Sequence, residues 1–376
     1  MRIAFCKFAC LSAAAIFLSA CAGLPARGRI GGNIIETRVD SEVARYYLAN
    51  YLSGARRAAA LDERIDRVYH NAHDSLPDRN ELKRISDEFS VDFAALYFAD
   101  RISQRPANRN FRADFERASD FAHDALNGAR LRLPSAAANY DFVFVPGYFY
   151  KQHRMTGADL AAPRASLRRA GLADYFVETI EDGPIETNAD LVVAAIRARA
   201  QTGRQLIVVS VSKAGPEVAL ALTRLGLDEA GSVSAWVNIV GLLQGSPLAD
   251  ERSLRWEEAV GQADAAGVES MSTQRSRQRF SSFHIPEHVL VVNYLGIPLS
   301  GNISVLARSG FWDLRTYGPN DGLSLLPDLI VPGGVTLAEV GRDHFLLVDE
   351  VDATAVALAI TIIERLEKRE MIGSSF

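Results

Sequence analysis

The sequence Gln205-Leu-Ile-Val-Val-Ser-Val-Ser-Lys-Ala-Gly215 runs directly into Pro216-Glu-Val-Ala-Leu-Ala-Leu222. The first stretch is apolar and β-branched, which predicts a buried strand, and the second predicts a helix. The strand ends at Ser212, so this serine lies in a sharp turn between the strand and the helix. Such a turn holds its serine at positive φ, and the residues two positions away must be small because strand and helix nearly touch. Ser210 and Ala214 meet that demand.

The residues around Ser212 depart from the usual form of this turn. A nucleophile elbow carries glycine at both flanking positions, whereas this chain carries Ser210 and Ala214. Each departure adds only a Cβ or a hydroxyl, so we expect the turn to tolerate both. The alternative interpretation is an ordinary strand end. The strand before Ser212 and the helix after it favour the elbow, with Ser212 as the candidate nucleophile.

A second apolar strand ends in a glycine turn, in the sequence Tyr140-Asp-Phe-Val-Phe-Val-Pro-Gly147-Tyr148. From such a turn a backbone N–H can face an oxyanion. We therefore expect an oxyanion hole made of the N–H groups of Tyr148 and of Lys213, which follows the nucleophile. The Lys213 side chain is interpreted as solvated, with contact to a substrate anion as the alternative. The aromatic stretch from Tyr148 to Tyr150 predicts an apolar or aromatic acyl pocket.

Two further polar residues complete a catalytic set downstream. Tyr317-Gly-Pro-Asn-Asp321-Gly-Leu-Ser places a carboxylate in a turn, and Val335-Thr-Leu-Ala-Glu-Val-Gly-Arg-Asp-His344 places a histidine just past a strand. Of the seven histidines, only His344 has this position after a candidate acid. We predict that His344 takes the proton of Ser212, and that Asp321 fixes the imidazole tautomer.

Three other carboxylates compete with Asp321 for the role of the acid: Asp313, Asp328 and Asp343. Asp343 is adjacent to His344, and neighbouring side chains on an extended segment point apart. Asp313 and Asp328 read as turn or cap residues. Asp321 lies in an Asn-Asp-Gly turn, which is tight and suited to presenting a side chain at the carboxyl edge of a sheet. We therefore favour Asp321.

Serine, acid and histidine follow one another in the chain order of the α/β-hydrolase triad. On these residues the chain resembles an α/β-hydrolase, and more narrowly the bacterial lipases and esterases. The segments Gly245-Ser-Pro-Leu-Ala-Asp250 and Asn320-Asp-Gly322 look like lipase segments. The resemblance extends from about Tyr140 to the C-terminus.

The resemblance implies an α/β fold, a mostly parallel sheet flanked by helices, with Ser212, Asp321 and His344 as its triad. It implies hydrolysis of carboxylic esters, of lipids or of small molecules, through an acyl-enzyme. The same machinery could serve a thioesterase, an amidase or an acyltransferase. A different class is a non-catalytic envelope lipoprotein that kept the fold. No metal or organic cofactor is needed, and the sequence has no P-loop, dinucleotide fingerprint or zinc-binding His/Glu motif.

The first residues have the layout of a signal peptide. Basic residues flank the start of residues 1–20, an apolar run spans Phe8–Phe17, and Leu18-Ser-Ala-Cys21 follows. The last four residues resemble a bacterial lipobox, which implies that Cys21 becomes the lipid-modified first residue of the mature chain. Ordinary signal cleavage near Ala20 is the alternative.

The cysteine content favours the lipoprotein interpretation. The only cysteines are Cys6, Cys10 and Cys21, so the mature chain keeps one thiol and forms no internal disulfide. Several acyl chains on one residue give a stable membrane anchor. Ala22, rather than aspartate, resembles lipoproteins that are passed on to the outer membrane. We expect a lipid-anchored protein of the bacterial cell envelope, at the outer membrane facing the periplasm.

The rest of the chain divides into regions by pattern. Residues 21–40 read as a tether, 41–138 as a helical region and 139–376 as the hydrolase domain. An extra edge strand is expected at Arg29–Val39. Within the domain, strands alternate with helices, which implies a parallel sheet covered on both faces. The predicted strands are Asp141–Val145, Tyr175–Ile180, Gln205–Val211, Val233–Val240, Val289–Tyr294 and Val335–Val340.

Two further expectations concern surfaces. The insertion 251–283 mixes flexible polar residues with Trp256, Met271 and Phe280, which predicts a cap or lid over the site; a simple surface excursion is the alternative. The aromatic stripe of the helical region is interpreted as packing on the main domain, with a membrane-facing surface as the alternative.

The formal charge of −5 gives no electrostatic reason to expect nucleic acid.

Overall fold

The computed structural model describes five stretches of the chain: residues 23–72, 74–126, 131–250, 264–347 and 351–373. The signal peptide predicted at 1–20 and the lipid-modified residue Cys21 lie outside these stretches. So does the first part of the predicted cap, residues 251–263. Among the residues that the structure describes, no helix is both long enough and apolar enough to cross a membrane.

The chain begins with a β-hairpin, followed by a helical region. Strands β1 and β2 pair antiparallel in a two-stranded sheet of their own. Five helices follow, and α1 continues into one turn of π-helix. The bounds are β1 Leu24–Ile30, β2 Asn33–Val39, α1 Glu42–Tyr46, α2 Ala59–His70, α3 Arg79–Glu88, α4 Val91–Gln104 and α5 Pro106–Leu126.

The hairpin corrects two expectations. The edge strand predicted at Arg29–Val39 does not join the main sheet, because the chain reverses at Gly31 and Gly32, where φ is +57° and +93°. Two consecutive positive φ angles form the tight turn that twisted hairpins favour. The range 21–40, predicted as a tether, therefore contains both strands from Leu24 onward.

The second region is an α/β domain whose six strands are all parallel, in the spatial order β4-β3-β5-β6-β7-β8. Its strands are β3 Tyr140–Val145, β4 Ala173–Phe176, β5 Gln205–Val211, β6 Val233–Ile239, β7 Leu290–Ile297 and β8 Val335–Val340. Its helices are α6 Ala161–Arg169, α7 Ile185–Ala200, α8 Ala214–Arg224, α9 Leu227–Ala230, α10 Pro247–Asp250, α11 Ala265–Ser270, α12 Thr273–Phe280, α13 Arg308–Leu314 and α14 Val351–Gly373.

This architecture confirms the prediction of a mostly parallel sheet flanked by helices. Helices α5, α6 and α14 cover one face, and α7 and α8 cover the other. The strand predicted at Tyr175–Ile180 is wrong in its bounds, since β4 ends at Phe176. Beyond it, the Asn188 side chain accepts a hydrogen bond from Ile180 N at 3.0 Å and donates to Ile180 O at 2.9 Å, in place of a neighbouring strand.

The helical region shares its core with the α/β domain. Phe93 and Leu96 of α4 are fully buried in a cluster that also contains Ile297, the last residue of β7, and Leu299 after it. The aromatic stripe therefore packs on the main domain, as the preferred interpretation expects. Of its members, Phe121 is an exception and is exposed.

A buried carboxylate ties the two regions together. Asp92 Oδ2 accepts from Asp40 N at 2.8 Å, and Asp92 Oδ1 accepts from Ser300 N and Ser300 Oγ, both at 3.1 Å. Arg315 pairs with Asp40 at 2.6 Å. Burial, together with the neighbouring Asp40 charge, raises the pKa of Asp92 to about 7. The hairpin, helix α4 and the segment after β7 thus meet at one polar cluster.

Candidate active site

Ser212 lies in the turn between β5 and α8, with φ of +56°. Three backbone hydrogen bonds hold this turn: Ser212 N donates to Ile239 O at 2.9 Å, and Ser212 O accepts from Gly215 N at 2.9 Å and from Leu242 N at 3.1 Å. A non-glycine residue at positive φ is strained, and it persists only where its surroundings fix it. The described geometry is that of an elbow and not of an ordinary strand end.

The two unusual flanking residues of the elbow are accommodated in different ways. The Ser210 hydroxyl accepts a hydrogen bond from Trp236 Nε1 at 2.8 Å, so its buried oxygen is satisfied. Ala214 is fully buried. The closest backbone approach falls one residue later, where a Cβ on Gly215 would lie 2.6 Å from the Gly241 Cα. Glycine is therefore required at 215 and not at 214.

The structure brings Ser212, His344 and Asp321 into one hydrogen-bonded line. His344 Nε2 lies 2.9 Å from Ser212 Oγ, and His344 Nδ1 lies 2.6 Å from Asp321 Oδ2. The three residues are buried, with exposed fractions of 8%, 5% and 0% for serine, histidine and aspartate. Since Nδ1 faces a carboxylate, it is the nitrogen that carries the proton, and Nε2 is then the acceptor toward the hydroxyl.

Asp321 is held rigidly by its own turn. Its Oδ1 accepts from Leu323 N at 2.9 Å and from Ser324 N at 2.8 Å, which leaves Oδ2 for the histidine. Gly322 follows at φ of +102°, and a Cβ there would meet the Ala307 Cβ at 2.6 Å. The backbone also joins the two loops, because His344 N donates to Asp321 O at 2.8 Å. The Asn-Asp-Gly turn thus fixes the positions of both Asp321 and His344.

The competing carboxylates have other partners or face solvent. Asp343 accepts from Ser304 N at 2.7 Å and from Phe345 N at 3.1 Å, so it serves as a local cap. Asp328 pairs with Arg79, and burial raises the pKa of Asp328 to about 6. Asp313 is exposed. Asp321 is the one among these four that contacts the imidazole.

The glycine turn after β3 lies directly against the elbow. Gly147 N donates to Ala158 O at 2.9 Å, and a Cβ on Gly147 would lie 3.4 Å from the Ser212 Cβ. Gly147 thus packs against the elbow, and Tyr148 directly follows it in the chain, as Lys213 directly follows Ser212. These are the two positions at which the sequence predicts oxyanion donors.

The Lys213 side chain corrects the sequence interpretation. It is 2% exposed, so it is neither solvated nor free to meet a substrate anion. Its ammonium pairs with Glu217, one turn along α8, and Asn188 Nδ2 donates to the same carboxylate oxygen at 2.8 Å. Burial raises the pKa of Glu217 above its usual range, although the lysine opposes this. The pair lies under the elbow as a buried structural element.

A cavity of about 720 Å³ opens beside the serine. Tyr148 and Phe149 line it, as predicted for an acyl pocket, but Tyr150 does not and instead donates from its hydroxyl to Thr179 O at 3.0 Å. Much of the lining was not anticipated from the sequence, because it comes from distant parts of the chain. It includes the segment 153–163, Leu306, Leu323, Leu346 and, from α14, Val351, Ala355 and Leu358.

The described part of the predicted cap, from residue 264, lies away from this cavity. Ser270 Oγ accepts from Ile185 N at 3.2 Å, and Arg279 pairs with Glu186 at 2.6 Å, so α11 and α12 pack at the start of α7. None of the described residues 264–283 lines the cavity. The segment 153–163 covers it instead. A capping role for 251–263 stays a prediction.

Two further observations concern the side chains in the described ranges. Among their residues, no group of three or more His, Cys, Asp and Glu side chains could hold a metal ion. His153 also lines the cavity, and it contacts Phe149 edge to face, with 5.5 Å between ring centroids. No pattern in the sequence indicates a second histidine at this place.

Solved structures similar to this one include esterases and lipases. The metagenomic carboxyl esterase MGS0156 superposes with a TM-score of 0.52 at 21% identity, over 64% of this chain and 80% of that one. The mature lipase BlEst2 of Bacillus licheniformis superposes with a TM-score of 0.51 at 21% identity, over 64% of this chain and 96% of that one. No protein-family model and no curated protein sequence matches the chain.

These likenesses and the sheet topology define the class. The chain has the α/β-hydrolase fold, with a six-stranded parallel sheet and helices on both faces. The sequence resemblance to this fold is thereby confirmed.

Breaking the ion pair beneath the elbow should destabilise the protein. We expect Lys213→Met to lower the free energy of unfolding by about 3–5 kcal/mol, because Glu217 is left as an unpaired buried carboxyl. The double variant Lys213→Met with Glu217→Leu should regain much of this loss, since no buried charge remains. Urea denaturation measures all three proteins. A single variant as stable as the wild type would show that the pair contributes nothing to folding.

Proposed function

We propose that this protein is a serine hydrolase that cleaves carboxylic esters through an acyl-enzyme. One observation carries the proposal: Ser212 at positive φ lies 2.9 Å from His344, and Asp321 lies 2.6 Å from the far side of the same ring. A serine hydroxyl is a weak nucleophile until a base takes its proton, and an oriented imidazole is such a base. The esterase and lipase structures of the same fold support this choice of reaction.

In the proposed acylation step, Ser212 Oγ attacks the ester carbonyl carbon while His344 Nε2 accepts the hydroxyl proton. The resulting imidazolium donates that proton to the leaving alkoxide oxygen, so the alcohol departs and the acyl group stays on Ser212. Water then repeats the sequence with the same histidine as base, which releases the carboxylic acid. Asp321 stays ionised throughout and stabilises the imidazolium.

The tetrahedral intermediates carry a negative oxygen, which requires donors fixed before the reaction. We assign the backbone N–H groups of Lys213 and Tyr148 to this role, because Gly147 packs at the elbow and both residues flank Ser212. Loss of one such donor typically lowers kcat by about 10²–10³-fold. Side-chain substitutions at these two positions leave the donors in place.

The proposed substrate is an ester with an apolar acyl group. Most residues that line the cavity between Leu306 and Leu358 are apolar, and the Asp and Arg side chains of the lining lie in the segment 153–163. An apolar wall stabilises a methylene chain by about 25 cal/mol for each Å² removed from water. A lipid or a small apolar ester fits this lining better than a charged substrate.

We further propose that a lipid on Cys21 anchors the protein at the outer membrane, on the periplasmic side. Only Ala22 and Gly23 separate Cys21 from Leu24, the first residue of β1. Three residues span roughly 10 Å when extended. A lipid at Cys21 would therefore hold the folded domain close to the membrane and not at the end of a long tether.

Removal of the proposed nucleophile tests the reaction. Ser212→Ala should abolish hydrolysis of short p-nitrophenyl esters and labelling by a fluorophosphonate. Circular dichroism and thermal unfolding should remain as in the wild type, because the change removes a hydroxyl from a strained turn and opens no core cavity. Equal turnover by wild type and variant would exclude the serine mechanism. Absence of labelling in the wild type would instead favour a non-catalytic envelope protein.

The identity of the acid is tested by a matched pair of variants. Asp321→Asn should lower kcat by about 10⁴-fold, because the amide favours the wrong imidazole tautomer. Asp343→Asn changes the neighbour of the histidine in the same way but should reduce kcat far less, since Asp343 caps a backbone turn. Steady-state kinetics on one ester compare the two. If Asp343→Asn were the more damaging, Asp321 would not be the acid.

Fractionation of cells tests the anchor. Cys21→Ser should move the protein from the membrane fraction to the soluble periplasm, or leave an unprocessed precursor, because no thioether-linked lipid can form. Intact mass spectrometry of the purified chain distinguishes these products. An unchanged membrane fraction and mature mass would refute the lipid anchor and point to another part of the chain.

A further inference from the structure

A second cavity lies next to the catalytic one. It has a volume of about 860 Å³ and lies between the β-hairpin, helices α4 and α5, and strand β8. Two residues line both cavities: Tyr294 of β7 and Thr354 of α14. The side chains of these two residues therefore form a wall between the catalytic cavity and the second cavity.

Tyr294 is the larger part of this wall. It pairs with Ile239 on one side and Leu337 on the other, and it is 6% exposed. Its hydroxyl makes no hydrogen bond to any residue within the described ranges. A tyrosine hydroxyl that borders a cavity can bond to the contents of that cavity.

The charges that act on the Tyr294 hydroxyl belong to the second cavity. Glu339 opposes its ionisation, and Arg112 and Arg342 favour it, although burial dominates and keeps the pKa of the phenol well above its usual range. All three charged residues line the second cavity. The phenol thus extends from the end of the catalytic cavity toward the second one.

The second cavity has a mixed lining. Charged side chains lie near the phenol, but Ile35, Ile102 and Phe115 also line this cavity. On the catalytic side, Ala355 and Leu358 of α14 line the cavity together with Tyr294. A methylene chain that passed the wall would leave water where it packs on these apolar residues.

We propose that Tyr294, with Thr354, sets the length of acyl chain that the catalytic cavity accepts. The inference rests on the proposed ester hydrolysis. The phenol closes the far end of the acyl site, so chains that reach it bind well and longer chains collide with the ring. Removal of the ring joins the two cavities and admits longer straight acyl chains.

The test compares chain-length profiles of kcat/KM for p-nitrophenyl esters of straight acids. Tyr294→Ala should shift the optimum to longer acyl chains, with a gain of roughly fourfold for each methylene beyond the wild-type optimum. Tyr294→Phe is the matched control: it keeps the ring and removes only the hydroxyl, so the wild-type profile should persist. Thermal unfolding verifies that each variant is folded.

Two further variants keep the test decisive. Truncation of a buried aromatic residue destabilises a core. If Tyr294→Ala fails to fold, Tyr294→Leu replaces it in the test, because leucine shortens the side chain but keeps apolar packing.

Ser119→Trp fills the second cavity from α5. Alone it should leave the profile unchanged, and combined with Tyr294→Ala it should restore the preference for shorter chains. If the double variant does not regain the preference for shorter chains, the inference that Tyr294→Ala joins the two cavities is wrong.

Labelling of Ser212 by alkyl fluorophosphonates of increasing chain length distinguishes a failure of the role assigned to Tyr294 from a failure of the proposed ester hydrolysis. Labelling of folded wild type and folded Tyr294→Ala with the same preferred length would overturn the role of Tyr294 alone. Absence of labelling at Ser212 with every chain length would overturn the proposed hydrolase, and this inference with it. A shift of the preferred length in the variant supports both.

Discussion

The positive φ of Ser212 is the constraint on which the rest of the site depends. A side chain in this conformation is strained, and here the strain is balanced by hydrogen bonds from the ends of β5 and β6 and by the close contact of Gly215 with Gly241. The turn aims the hydroxyl away from the sheet and toward the cavity. It also places Lys213 directly after the serine, at the start of α8.

The partners of the serine are fixed by loops that support each other. Asp321 bonds to its own turn through one carboxylate oxygen and to His344 through the other, and its carbonyl accepts from the histidine backbone. The imidazole therefore has one orientation before any substrate arrives. Such preorganisation is the main way in which a protein lowers the barrier of a reaction that develops charge.

The N-terminal region is part of the same folding unit as the α/β domain. The carboxylate of Asp92 joins the hairpin to the segment after β7, and α5 packs along α14. Helix α14 in turn lines the cavity beside Ser212, and α5 lines the second cavity. The helical region thereby encloses the space beside the proposed acyl site.

The sequence alone determined the features that depend on short-range order. The strand, turn and helix around Ser212, and the Asn-Asp-Gly turn at Asp321, are each specified by a few consecutive residues, so their chemistry could be predicted from spacing and residue type. The sequence predicted a mostly parallel sheet, but it did not predict the order of the strands in that sheet. The end of β4 was misjudged because Ile180, four residues beyond it, bonds to the Asn188 side chain near the start of α7 and not to a neighbouring strand.

Only the tertiary structure decided which distant residues meet. The ion pair of Lys213 with Glu217 lies on one helix, yet its burial depends on α7 and could not be inferred from helix spacing. The edge strand expected before residue 40 became a separate hairpin, because two glycines reverse the chain there. The wall of Tyr294 and Thr354 joins a strand to the last helix. Such contacts depend on how layers pack, and packing is a property of the whole fold that no local pattern encodes.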